Sequence, residues 1–224
     1  MSAPASAAHA DLDRLDLADL ERRCAESLAD QAADAAHDLA HVRRVVASAK
    51  ALAAAEGGHP GVVVPAAWLH DCVSVPKSSP LRAQASRLAA DEAVRRLAAW
   101  GYPEAHLPEV HHAVAAHSFT AAIEPRTREA QVVQDADRLD ALGAVGIART
   151  LMLGGAMGRP LYDEADPFCE RRPPDDAAST IDHFYTKLLH LAGTMRTASG
   201  RAEAERRTAV LRRFLDDLRR ELPT

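Results

Sequence analysis

The chain is poor in residues that turn, staple or anchor a polypeptide. Only 11 of its 224 residues are glycine and 4% are aromatic. Ala, Leu, Arg and Glu dominate instead, so the intrinsic preference is for helix over sheet. Three cysteines, Cys24, Cys72 and Cys169, are far apart, odd in number and without a CxxC pair. That argues against a disulfide framework and reads as ordinary thiols in a reducing compartment. No stretch approaches the ~20 apolar residues needed to span a bilayer. Met1 to Ala10 has neither the basic start nor the continuous apolar run of a signal peptide, so the expected location is the cytoplasm, with no membrane partner. Positive charge is not concentrated either. The formal charge is −5, the 27 basic residues are spread along the chain, and the lysines are only Lys50, Lys77 and Lys187. There is no electrostatic case for binding duplex nucleic acid.

What remains is 47% hydrophobic and 26% charged, enough for one sizeable core. The expected class is all-α, with a flexible leader over residues 1–16 and one domain over 17–224. Leu39, Val42, Val45, Val46, Ala49 and Leu52 form an apolar stripe at helical spacing that stops at Gly57-Gly58. Pro65 reads as a helix start, with Ala66, Leu69 and Val73 facing inward. Val62-Val63-Val64 is the longest strand signal. Ser74 to Arg82 reads as a loop, and a helix follows from about Gln84 to Trp100. Pro108 opens another, carrying Val110, Val114 and Phe119. One long helix is expected from about Glu129 to Leu153, then an irregular stretch from Gly154 to Asp176. Two helices close the chain, roughly Ala178 to Met195 and Arg201 to Leu222.

The chemistry lies in the histidines. Of eleven, six (His37, His41, His70, His111, His112 and His117) sit beside apolar helix positions or an acid. Imidazole with carboxylate suits transition ions or manganese, whereas calcium favours an oxygen-only shell. The sharpest local feature is Trp68-Leu69-His70-Asp71-Cys72. Alone it also describes a helix end at which His70 satisfies the last carbonyls and Asp71 faces water.

Read in chain order, however, His41, the His70-Asp71 pair and Ala136-Asp137-Arg138-Leu139-Asp140 resemble the H…HD…D pattern of the HD superfamily. Four segments resemble its bacterial stand-alone phosphohydrolases: His70-Asp71-x4-Pro76-Lys77, Ala116-His117-Ser118-Phe119, Gln134 to Asp140, and His183-Phe184-Tyr185-x-Lys187-Leu188. The resemblance runs from about Leu28 to the C-terminus.

The resemblance implies an HD helical bundle with additional C-terminal helices and a divalent ion held by His41, His70, Asp71 and Asp137. Mn²⁺ or Mg²⁺ leads the expected cofactors, with Fe, Co or Ni behind. Asp71 would also orient or deprotonate the attacking water, and His117 would contact phosphate, water or a second metal. Lys77 and Arg82, in the loop after the ligand pair, together with Arg138 and Lys187, are candidate substrate-binding residues, since ammonium and guanidinium groups suit a polyphosphate tail. The expected activity is hydrolysis of a phosphoester or phosphoanhydride bond in a nucleotide or similar small phosphate compound. Nucleoside triphosphate pyrophosphohydrolysis is favoured slightly over phosphomonoester hydrolysis. A nucleotide-sensing module without turnover and a di-iron HD oxygenase are the alternatives.

The last ligand needs the resemblance to be assigned. Asp135 and Asp137 differ by ~200° around a helix and flank the apolar stripe on opposite sides, so periodicity does not choose between them. The similarity of Ala136-Asp137-x-x-Asp140-Ala141-Leu142 to the family segment selects Asp137. His37 is a candidate partner for a ligand's free nitrogen. Cys72 reads as a packed thiol.

Overall fold

The computed structural model describes residues 9–29, 39–75 and 79–222, which form nine α-helices. The chain divides into two compact units, one ending at Ala136 and the other starting at Asp137.

The first unit is organised around one helix with no polar face. Helices α1 (Leu17–Ala29), α2 (Leu39–Glu56), α3 (Pro60–Leu69), α4 (Ala85–Ala99) and α5 (Leu107–Ala116) follow one another, and α6 (Arg128–Asp140) carries the chain across the boundary. Every residue of α3 from Gly61 to Leu69 is buried. A helix apolar all round must be enclosed, and α3 packs against α1, α2, α4 and α5.

Gly57 ends α2 at φ +87°, a left-handed conformation that costs glycine little. His59 then caps α3 through its Nδ1, which accepts from the Gly61 amide at 3.0 Å. Pro60 stands at the first helical position, where its missing N–H is no loss.

Helix α3 therefore starts five residues before Pro65, and the valine run lies inside it. Pro65 has no N–H for the carbonyl one turn back, that of Gly61. The Tyr102 hydroxyl donates to that carbonyl instead, at 2.9 Å. Phe119 lies beyond the end of α5 and is exposed. Within the stretch read as leader, Leu12–Arg14 forms a 3₁₀ turn with Leu12 buried.

The second unit contains α7 (Gly143–Ala156), α8 (Asp182–Thr186) and α9 (Ala198–Glu221). The long helix expected through residue 153 is two helices. Leu142 is extended and Gly143 has φ +69°, which breaks the hydrogen-bond ladder. Thr197 caps α9 by accepting from the Gly200 amide, and Ala204, Thr208, Leu211 and Leu215 face inward from that helix. A 3₁₀ stretch, Leu188–Thr194, replaces most of the penultimate helix.

Two carboxylates organise the irregular segment after α7. Asp166 accepts the backbone amides of Glu170, Arg171 and Arg172. Asp182, wholly buried, accepts from the Arg172 guanidinium at 2.9 Å, the Asp175 amide and the Ser179 hydroxyl. Burial raises the Asp182 carboxyl, but Arg172 and the other donors outweigh it and hold the group well below the ordinary carboxylate range. No single helix among the described residues is long and apolar enough to cross a membrane.

A carboxyl lowered by folding stabilises the native state above its unfolded pKa of about 4, and that contribution is lost as pH falls. Asp182→Asn should therefore cost ~2–4 kcal/mol at neutral pH, because Arg172 loses its charged partner. The cost should shrink as pH falls below the ordinary carboxylate range. Urea unfolding of both proteins at several pH values measures this, and equal stability at pH 7 would refute it.

Candidate metal centre

Three helices bring imidazoles to one carboxylate. His41 is in the first turn of α2, His70 follows the last residue of α3, and His117 follows the last residue of α5. All three are buried, whereas the Asp71 side chain is 25% exposed. His70 Nε2 lies 3.3 Å from His41 Nε2 and 3.5 Å from Asp71 Oδ2. His117 Nε2 lies 3.5 Å from Asp71 Oδ1, and His41 Nε2 is 4.0 Å from Asp71 Oδ2. The His70 ring meets the other two edge-on, at 5.3 Å from His41 and 5.0 Å from His117.

The helix ends fix how two of these rings are protonated. His70 Nδ1 is 2.8 Å from the Ala67 carbonyl, and His117 Nδ1 is 2.6 Å from the Val114 carbonyl. A carbonyl only accepts, so each Nδ1 carries a proton, and it is Nε2 that a neutral ring would offer as a lone pair. The His70 bond serves a carbonyl at the helix terminus, while the Val114 carbonyl also accepts the His117 amide at 3.4 Å. His70 thus satisfies its helix end and faces the cluster at once. The donor set that fits a cation is His41, His70 and Asp71, and His117 Nε2 faces the other Asp71 oxygen. His41, His70 and Asp71 each offer a ligand atom within 4.8 Å of the others.

A family model described as the HD domain matches residues 38–142. The uncharacterized protein YpgQ of Bacillus subtilis (strain 168) is 35% identical over 191 residues, covering 84% of this chain and 85% of that one. The chain belongs to the HD superfamily.

Solved structures agree across nearly the whole length. An HD-superfamily hydrolase from Bacillus thuringiensis superposes with a TM-score of 0.70 at 33% identity, covering 92% of this chain and 97% of that one. A structure of B. subtilis YpgQ in complex with ADP gives 0.70 at 30% identity, covering 96% and 97%.

Other candidate positions fall around the HD cluster or away from it. Asp137 opens the second unit and is partly exposed, whereas Asp135, two residues earlier on α6, is fully buried. Arg138 donates to the Thr194 carbonyl at 2.8 Å. Arg82 donates to the Val75 carbonyl at 2.9 Å, closing the loop after Asp71, while Lys77 and His37 lie outside the described residues. Lys187 is exposed at the end of α8.

His111 pairs with Asp91 at 2.9 Å, and His112 accepts the Arg126 amide at 3.0 Å, so both have surface partners. Cys72 is buried and donates to the Ala89 carbonyl, and burial pushes its thiol up to about 12. It is a packed thiol, not an available thiolate.

Because His117 faces Asp71 from a fixed tautomer, His117→Ala should lower bound metal or, with metal retained, lower turnover by ~10²-fold or more. Elemental analysis beside steady-state kinetics separates a ligand from a substrate or water contact. Wild-type values in both measurements would remove His117 from the site.

Proposed function

We propose that this protein hydrolyses phosphoester or phosphoanhydride bonds in a nucleotide or similar small phosphate compound, with pyrophosphohydrolysis of nucleoside triphosphates preferred over phosphomonoester hydrolysis. The observation that carries this reading is the convergence of three imidazoles on Asp71, the one member of the cluster that reaches solvent. His41, His70, Asp71 and Asp137 are the proposed metal ligands, with Mn²⁺ or Mg²⁺ preferred over Fe, Co or Ni. A divalent ion bound there supplies Lewis-acid stabilisation of charge on the phosphoryl group and lowers the pKa of water.

The chain's own groups do the rest. Asp71 is placed to orient a water and take its proton. His70 and His117, anchored through Nδ1, hold Nε2 in place without a rotamer search. Lys77, Arg82, Arg138 and Lys187 are the proposed cations for the phosphate groups of the substrate. ADP bound to YpgQ, a relative of similar length, supports a nucleotide over other phosphate compounds.

The test is a panel of nucleotides and general phosphoesters with several divalent ions, reading phosphate and pyrophosphate separately. Chelation should abolish hydrolysis and Mn²⁺ or a related ion should restore it. Asp71→Ala should lower kcat by ~10²–10⁴-fold with helical content unchanged. Turnover by a verified metal-free preparation, or oxygen consumption in place of hydrolysis, would defeat the proposal.

The assignment of Asp137 is tested separately. Asp137→Asn keeps the shape and loses the charge, so it should weaken metal binding by orders of magnitude. Asp135→Asn, at a fully buried position, should chiefly reduce stability. The opposite pattern in metal titrations of the two folded variants would move the ligand role to Asp135.

A further inference from the structure

The same two helices that end at the HD cluster begin at a second histidine cluster. His59 caps the N-terminus of α3, and His106 stands at the N-cap position of α5 without a capping side-chain bond. His9, ahead of the 3₁₀ turn, sits between them, with ring centroids 4.8 Å from His59 and 5.1 Å from His106. Glu109, in the first turn of α5, meets two of these rings. One of its oxygens is 2.9 Å from His106 Nδ1 and the other is 3.3 Å from His9 Nε2.

The three histidines are not equivalent. Both nitrogens of His59 are engaged, Nδ1 by the Gly61 amide and Nε2 by Asp13 at 3.2 Å. His59 is thus a wall against which His9 rests. His9, His106 and Glu109 instead direct three donor atoms at one another, all within 4.8 Å. A tetrahedral ion with bonds of ~2.0–2.1 Å places its ligand atoms roughly 3.3 Å apart, within the mutual reach of one atom from each of the three residues.

We infer that His9, His106 and Glu109 form a second metal site, separate from the HD centre, for a divalent transition ion such as Zn²⁺ or Co²⁺. Two imidazoles and one carboxylate select such an ion over Ca²⁺ or Mg²⁺. On binding, each neutral imidazole carries its proton on the other ring nitrogen, Nδ1 of His9 and Nε2 of His106. The positive ends of two helices oppose a cation here, and the carboxylates of Glu109 and Asp13 counter them. Three protein ligands leave a position for water, and the ion fastens the segment bearing His9 to the start of α5. His106-x-x-Glu109 is the pair that one helical turn can present to a single ion.

The site is tested by counting Zn²⁺ bound, using titration against a chromophoric chelator, in wild type, His9→Ala, Glu109→Gln and Asp71→Asn. His9→Ala and Glu109→Gln should each bind one equivalent fewer than wild type. Asp71→Asn, altered at the HD centre, should keep the equivalent that His9→Ala lacks. Co²⁺ bound to Asp71→Asn should show tetrahedral visible bands that are lost in Asp71→Asn/His9→Ala. His9 lies at the periphery, so its variant carries the test if Glu109→Gln does not fold. Equal Zn²⁺ stoichiometry in wild type and His9→Ala overturns the site and leaves the trio as a hydrogen-bonded clasp.

Discussion

The first unit depends on the absence of a polar face on α3. Residues Gly61 to Leu69 offer nothing that water can solvate well, so the helix is stable only inside a ring of neighbours. That requirement brings α1, α2, α4 and α5 around it. It also fixes where the chain can become polar again. The first charged residue after the buried run is Asp71, which the end of α3 delivers beside His41 and His117. The chemistry sits at the point where the buried helix has to end.

The two ends of α3 and α5 share a consequence. His59 and His106 stand at their N-cap positions and bracket one imidazole, while His70 and His117 follow their last residues with ring centroids 5.0 Å apart. The helices therefore run side by side in the same direction. Ten residues at ~1.5 Å per residue separate the two clusters by roughly 15 Å. His59, His70 and His117 each satisfy a backbone group with one nitrogen and turn the other to a side chain, whereas the His106 ring, among the described residues, bonds only to the Glu109 carboxylate. At the starts, His59 accepts an amide; at the C-termini, His70 and His117 donate to carbonyls. The backbone group chooses the tautomer, and the tautomer decides whether the remaining nitrogen shows a proton or a lone pair.

Much of this was legible in the sequence, and the limits have physical causes. The α-helical class and the stripe of α2 could be read from composition and periodicity, and the His41, His70-Asp71 order from its resemblance to the HD pattern. The start of α3 could not, because a proline inside a helix is tolerated only if something else satisfies the carbonyl it abandons. Here that is Tyr102, 37 positions beyond Pro65 in the sequence. The break at Leu142 was hidden by apolar spacing that runs on through it, although Gly143 was a visible signal. The cluster around Glu109 escaped because His9 lies in a stretch whose composition reads as leader. Only the fold places it against His106.

The groups that would discriminate among phosphate substrates are of a different kind from those at the HD cluster. His41, His70 and His117 are held by burial, and two of them by a second hydrogen bond as well. Arg82 is exposed, and its guanidinium is tied to the Val75 carbonyl in its own loop. A long side chain anchored to a loop moves with that loop, so its reach depends on the loop sequence and not on the packing of α3. If Arg82 holds a substrate phosphate as proposed, its placement rests on the Val75 carbonyl and not on the packing that sets the imidazoles. Helix ends can fix the atoms that bind a metal in this way, while recognition of the rest of a substrate stays free to vary.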